Sequence, residues 1–185
     1  MADLSDLKVQ LVAAEKNFRD EELFIPENIF SGAELFVSIA SNEKKNIKGM
    51  LGGSVDADIA IRDINTDDID ALVIAGGSGS PDYLWYNDDL LEKIRESYRK
   101  GKIIGAICLS GAVLAQAGIL KGKRATVYPS EEAIMELKEN GATFVNEGVV
   151  TGDGIVTAQG PSNATDFARA ILSLIEQKVT EGIRH

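Results

Sequence analysis

Two short runs constrain the fold of this chain more than any other feature. Asp70–Ala75 (DALVIA) and Lys102–Ile107 (KIIGAI) are apolar on consecutive residues, and each stops abruptly, the first at Gly76-Gly77 and the second at Cys108. A strand with one face in water alternates polar and apolar residues. An uninterrupted apolar strand has both faces covered, which is the condition of a parallel sheet between two layers of helices. The rest of the chain fits that condition. Lys8–Ala14 and Leu35–Ala40 read as further strands, and Asp20–Ala33 reads as a helix with Pro26 as an expected kink. Leu90, Leu91, Ile94 and Tyr98 mark one face of another helix. A small-residue helix is expected from Leu109 to about Ala117, a short strand over Arg124–Tyr128, and a helix over Glu131–Glu139 that Asn140-Gly141 ends. Val149–Ala158 reads as a hairpin turned at Asp153-Gly154, and Gly49–Ile64 as a small β excursion. Phe167, Ala170, Ile171, Leu174 and Ile175 follow the spacing of one helical face.

The expected architecture is therefore an α/β fold, a three-layer α/β/α sandwich on a mostly parallel, flavodoxin-like sheet with a β-hairpin elaboration. The 185 residues suit one domain, with no internal repeat or Pro/Ser-rich linker to divide them. In such sheets the ligand crevice lies beyond the carboxyl ends of the strands.

Composition removes several functions. With 29 acidic and 19 basic side chains the net charge is −10, a sign that repels phosphate backbones and anionic lipid, so neither nucleic acid nor membrane is an expected partner. No apolar run reaches the roughly 20 residues of a membrane span. The start, Met1 to Asp6, is acidic rather than basic-then-apolar, which favours the cytoplasm over secretion. The single cysteine, Cys108, rules out an intrachain disulfide and agrees with a reducing compartment. The single histidine is His185, expected to be a frayed tail residue. One cysteine and one terminal histidine cannot supply a transition-metal site. Gly76-Gly77-Ser78-Gly79 lacks the third glycine of a dinucleotide fingerprint, and no phosphate-loop lysine motif is present. Aspartates 56, 58, 63, 67, 68 and 70 lack calcium-loop spacing and read as a solvated surface. Trp85 reads most simply as packing, and an aromatic so near the Gly-Gly turn also fits a wall of the pocket or a subunit contact.

Cys108 stands where a strand passes into a helix without a loop, the geometry of a nucleophile elbow. A thiol at a helix N-terminus faces unpaired N–H groups, which favour its thiolate. Position alone also fits an inert core thiol. Glu22, in the run Asp20-Glu21-Glu22, fits an ordinary solvated carboxylate at a helix start as well as a functional one.

Four motifs in order resemble the ThiJ/PfpI family: Phe18-Arg19-Asp20-Glu21-Glu22-Leu23-Phe24-Ile25-Pro26, with a glutamate four residues before a proline; Gly76-Gly77 followed by Pro81-Asp82-Tyr83-Leu84; Gly105-Ala106-Ile107-Cys108; and Gly160-Pro161. The resemblance runs from about Lys8 to Ile175. It implies that Cys108 is the nucleophile and that Glu22 is the carboxyl group bonded to its sulfur. It further implies that Gly77 and Leu109 offer oxyanion-type amides beside Gly76. The function it implies is glyoxalase or deglycase chemistry on small reactive carbonyls such as methylglyoxal or its protein adducts, in stress protection. No metal or organic cofactor is implied, and at least a homodimer is. A redox-sensing or chaperone-type protein with an oxidisable Cys108 is the alternative, and an intracellular cysteine peptidase the least favoured reading. Where many members carry a histidine, this chain has Leu109 after the cysteine and Tyr128 in the Ala125–Pro129 segment. Peptidase chemistry needs an imidazole to protonate the leaving amine. Tyr128 is either a hydrogen-bond donor to the site or an ordinary half-buried aromatic.

Overall fold

Leu72 and Ile74 pack into one apolar cluster and Ala71 and Val73 into another, so the strand that carries them is buried on both faces. That alternation organises the computed structural model, which describes residues 3–183. Among those residues the strands are β1 (Lys8–Val12), β2 (Lys16–Phe18), β3 (Phe36–Ser41), β4 (Asn46–Gly49), β5 (Ser54–Asp56), β6 (Ile59–Ala60), β7 (Ala71–Ile74), β8 (Ile103–Ile107), β9 (Arg124–Ala125), β10 (Thr143–Phe144), β11 (Val149–Gly152) and β12 (Ile155–Ala158). The helices are α1 (Asp20–Gly32), α2 (Ser80–Tyr83), α3 (Asp88–Arg99), α4 (Gly111–Gln116), α5 (Glu131–Glu139) and α6 (Ala164–Ile183).

Seven strands form the main sheet in the order β11-β12-β8-β7-β1-β3-β6. Every pairing in it is parallel except that of β11 with β12. Phe30 of α1 and Phe167 and Ile171 of α6 cover one face, and Leu90 and Ile94 of α3 with Val113 of α4 and Leu137 of α5 cover the other. The sandwich is as expected, and the five crossover-linked strands β3-β1-β7-β8-β12 have the flavodoxin-like order. The strand order reverses between β1 and β7, which places a crevice at the ends of those two strands. The expected hairpin is present, with Asp153 and Gly154 both at positive φ (55° and 72°) as a tight two-residue turn requires. It is more than an elaboration, because β12 pairs with β8 and extends the main sheet.

Two expectations are corrected. The strand over Arg124–Tyr128 shrinks to Arg124–Ala125, since Tyr128 N–H is committed to the Cys108 carbonyl at 3.1 Å. Leu109–Ala117 is not one helix but a 3-10 turn over Cys108–Ser110 followed by Gly111–Gln116. Helix α1 runs on through Pro26 to Gly32. Lacking an N–H, Pro26 leaves the Glu22 carbonyl without its usual helical donor. His185 lies outside the described residues.

Candidate active site

The crevice is built by sewing two loops together. After β1, Asn17 takes positive φ (60°), and its carbonyl accepts from Gly79 N–H at 3.0 Å. Arg19 N–H donates to the Gly76 carbonyl at 2.9 Å. This close approach demands glycine at residue 77. Its φ is 114°, and a Cβ there would lie 2.3 Å from Arg19 N.

Cys108 follows the last residue of β8 and has φ 61°, in the left-handed region that a non-glycine residue rarely adopts. Holding a side chain there costs about 1–3 kcal/mol. The neighbours of the turn enforce it. Ser110 Oγ donates to the Ala75 carbonyl at 2.6 Å and shares a 2.8 Å hydrogen bond with Ser80 Oγ. The Trp85 indole N–H donates to the Leu109 carbonyl at 2.8 Å, so Trp85 clamps the elbow as well as packing beside it.

Glu22 arrives from the first turn of α1 and is fully buried. Neither of its carboxyl oxygens has a hydrogen-bond partner of good geometry among the described residues. Gly76 shows what stands beside it: a Cβ at that residue would lie 2.7 Å from Glu22 Oε1, 2.7 Å from Cys108 Cβ and 2.5 Å from the Ile107 carbonyl. The absent side chain is the space that lets the carboxyl and the cysteine meet. Gly76→Ala should therefore force the pair apart, at a cost of about 1–3 kcal/mol in stability as in other overpacked cores. Chemical denaturation together with the alkylation rate of Cys108 checks this. A variant with wild-type values in both would show that the contact is not tight.

Burial raises the Glu22 carboxyl from its ordinary 4.5 to about 8, against the lowering influence of Cys108, the Arg19 charge and the Gly76 amide. Burial also pushes the Cys108 thiol up to about 12, aided by the Glu22 charge and opposed by the Leu109 and Gly77 amides. This corrects the expectation of a preformed thiolate. The amides are present, but the helix after the elbow has only six residues and the sulfur sits beside an acid in a dry place. At neutral pH burial favours the protonated form of both groups, and they titrate as a coupled pair. While Glu22 is protonated, one of the causes that lift the thiol is absent.

Cys108 is only 7% exposed, yet it opens on a cavity of about 380 Å³ lined by Arg19, Met50, Gly77, Ser78, Cys108, Leu109, Tyr128 and Pro161. Of the residues expected at the site, Cys108, Gly77, Leu109 and Tyr128 face this cleft together, while Gly76 and Glu22 stand behind the sulfur. Sequence reasoning did not find Met50 or Ser78. Met50 hangs over the cleft because Asp20 clamps the turn between β4 and β5, its Oδ1 accepting from Leu51 N–H at 2.9 Å and its Oδ2 from Gly53 N–H at 2.8 Å. A contact between residues so distant along the chain leaves no local signal. Arg19 and Pro161 lay within quoted motifs without an assigned role.

A mostly parallel sandwich with a strained cysteine elbow at its carboxyl edge, backed by a buried carboxyl group, defines a class of cysteine-centred α/β proteins. Within that class the chain belongs to the DJ-1/PfpI family, whose domain it matches over residues 7–174. It is 47% identical to an uncharacterized protein of Methanocaldococcus jannaschii over 175 residues, 95% of this chain and 85% of that protein. It is 32% identical to the protein/nucleic acid deglycase 2 of Escherichia coli over 162 residues, 85% of this chain and 92% of that protein. Among solved structures it resembles a ThiJ/PfpI domain protein from Brachyspira murdochii, with a TM-score of 0.88 and 28% identity over 92% of this chain and 96% of that one.

Proposed function

We propose that the protein is a cysteine-dependent glyoxalase or deglycase acting on small reactive carbonyls, methylglyoxal or its early protein adducts, in protection against carbonyl stress. One observation carries this reading. A fully buried carboxyl group, with no hydrogen-bond partner of good geometry among the described residues, meets across Gly76 a cysteine that opens on a cleft. A buried polar group left unpaired costs stability and calls for a functional account. The deglycase name of the Escherichia coli relative supports the same chemistry.

In this mechanism Cys108 Sγ adds to the aldehyde carbon and the thiol proton passes to the carbonyl oxygen, giving a hemithioacetal. The Gly77 and Leu109 amides hold that oxygen while it carries charge. Glu22, as carboxylate, takes the proton from the carbon bonded to sulfur and returns it to the neighbouring carbon. The first carbon is thereby oxidised and the second reduced within one molecule. The product is a thioester, and water cleaves it to lactate and free thiol. A base with a pKa near 8 is suited to both halves of this transfer.

The raised thiol bears on the sensor reading and on the carbonyl addition alike, because peroxide oxidation and nucleophilic attack both follow thiolate character. The peptidase reading lacks its imidazole, since the sole histidine is His185. The direct test is lactate formation from methylglyoxal before and after stoichiometric alkylation of Cys108 by iodoacetamide. Lactate is expected before and none after. No lactate from the intact protein, or formation that survives full alkylation, would overturn the proposal.

A further inference from the structure

Among the described residues, Arg19 is the one cationic side chain lining the cleft in front of Cys108. Its backbone bond to Gly76 fixes it beside the elbow. Glu21 grips one edge of the guanidinium, with Nε donating to its two carboxylate oxygens at 3.2 and 3.1 Å and Nη2 at 3.0 Å. Nη1 has no partner among the described residues. Both side chains are 31% exposed, so water and salt screen this charge incompletely. Its hydrogen bond to Glu21 raises the proton affinity of Arg19 most, and the charges of Glu22 and Cys108, when those groups are ionised, add to it.

A neutral dicarbonyl gains little from a fixed cation at the mouth of its cleft. A carboxylate gains a planar fork with a donor still free. Of the other walls, the side chains of Met50, Leu109 and Pro161 are apolar and those of Ser78 and Tyr128 bring hydroxyl groups, none of them a positive charge. We propose that the cleft selects carbonyl substrates that also bear a carboxylate, with Arg19 as the specificity-determining residue that receives it through Nη1. This deepens the carbonyl reading above and rests on it.

The test compares two alkylating agents that differ in charge. Rates of Cys108 modification by iodoacetate and by iodoacetamide are followed by intact mass at low salt in wild type, Arg19→Gln and Arg19→Lys. Their ratio within each protein cancels any change in the thiol's own reactivity. Removing one nearby charge should lower the iodoacetate-to-iodoacetamide ratio roughly tenfold in Arg19→Gln, while Arg19→Lys should stay within about threefold of wild type. A second arm uses glyoxylate, which has the aldehyde and the carboxylate but no second carbonyl to isomerise. Its inhibition constant against methylglyoxal should rise by a similar factor in Arg19→Gln. An unchanged ratio overturns the role of Arg19, even if wild type makes lactate. A wild type that makes no lactate, with the ratio still falling in Arg19→Gln, keeps the anion site and removes the isomerisation step instead.

Discussion

Glu22→Gln is expected to lower kcat/KM for methylglyoxal by about two to four orders of magnitude, the range a positioned general base contributes. The exchange keeps the shape and the burial of the side chain and removes only its capacity to take and return a proton. Wild-type activity should rise with pH to a limb near 8, where the Glu22 carboxyl gives up its proton. The residual activity of the variant should lack that limb. Rates measured from pH 5.5 to 9 in both proteins distinguish the roles. A variant within tenfold of wild type, with the limb intact, would place the base elsewhere.

The stability of the same variant relative to wild type should rise with pH. Glu22 binds its proton more tightly folded than unfolded, its pKa rising from 4.5 to about 8. Relative to the glutamine variant, wild-type stability is therefore greatest below pH 4.5 and declines as pH rises to about 8, beyond which the loss is complete. For a group with no exposure to water the full span is on the order of 5 kcal/mol, or about 10–20 °C in Tm for a chain of this size. Urea unfolding of both proteins at pH 5 and pH 8.5 measures it. A stability difference that does not change between these two values would mean that the carboxyl is hydrated in solution.

The parts of the fold that could be read from sequence were those whose burial imposes a repeating pattern. β7 and β8 lie under helices on both faces and show as unbroken apolar runs. The Glu131–Glu139 helix was legible to the residue, because Ser130 caps it by accepting from Ala133 N–H and Gly141 at φ 81° ends it. The small sheet of β2, β4 and β5 was unreadable as a sheet. Its strands are three or four residues long and mostly exposed, so nothing fixes a period of two. At the site, Cys108 and Gly77 were visible as chain-reversal chemistry, and Glu22 only through its place in a motif. The protonation of the thiol was misread for a physical reason. The elbow's amides can be inferred from adjacency, whereas the desolvation that outweighs them depends on α1 closing over the sulfur, which adjacency does not encode.

The left-handed backbone at Cys108 also bears on how this protein can change over generations. Glycine at that residue would relax the torsion and glutamine at residue 22 would end the burial of an acid, so the mutations that silence the site are also downhill in energy. A lineage released from the need for this chemistry would be expected to drift toward a sturdier, inert fold, and only selection on the reaction opposes that slope.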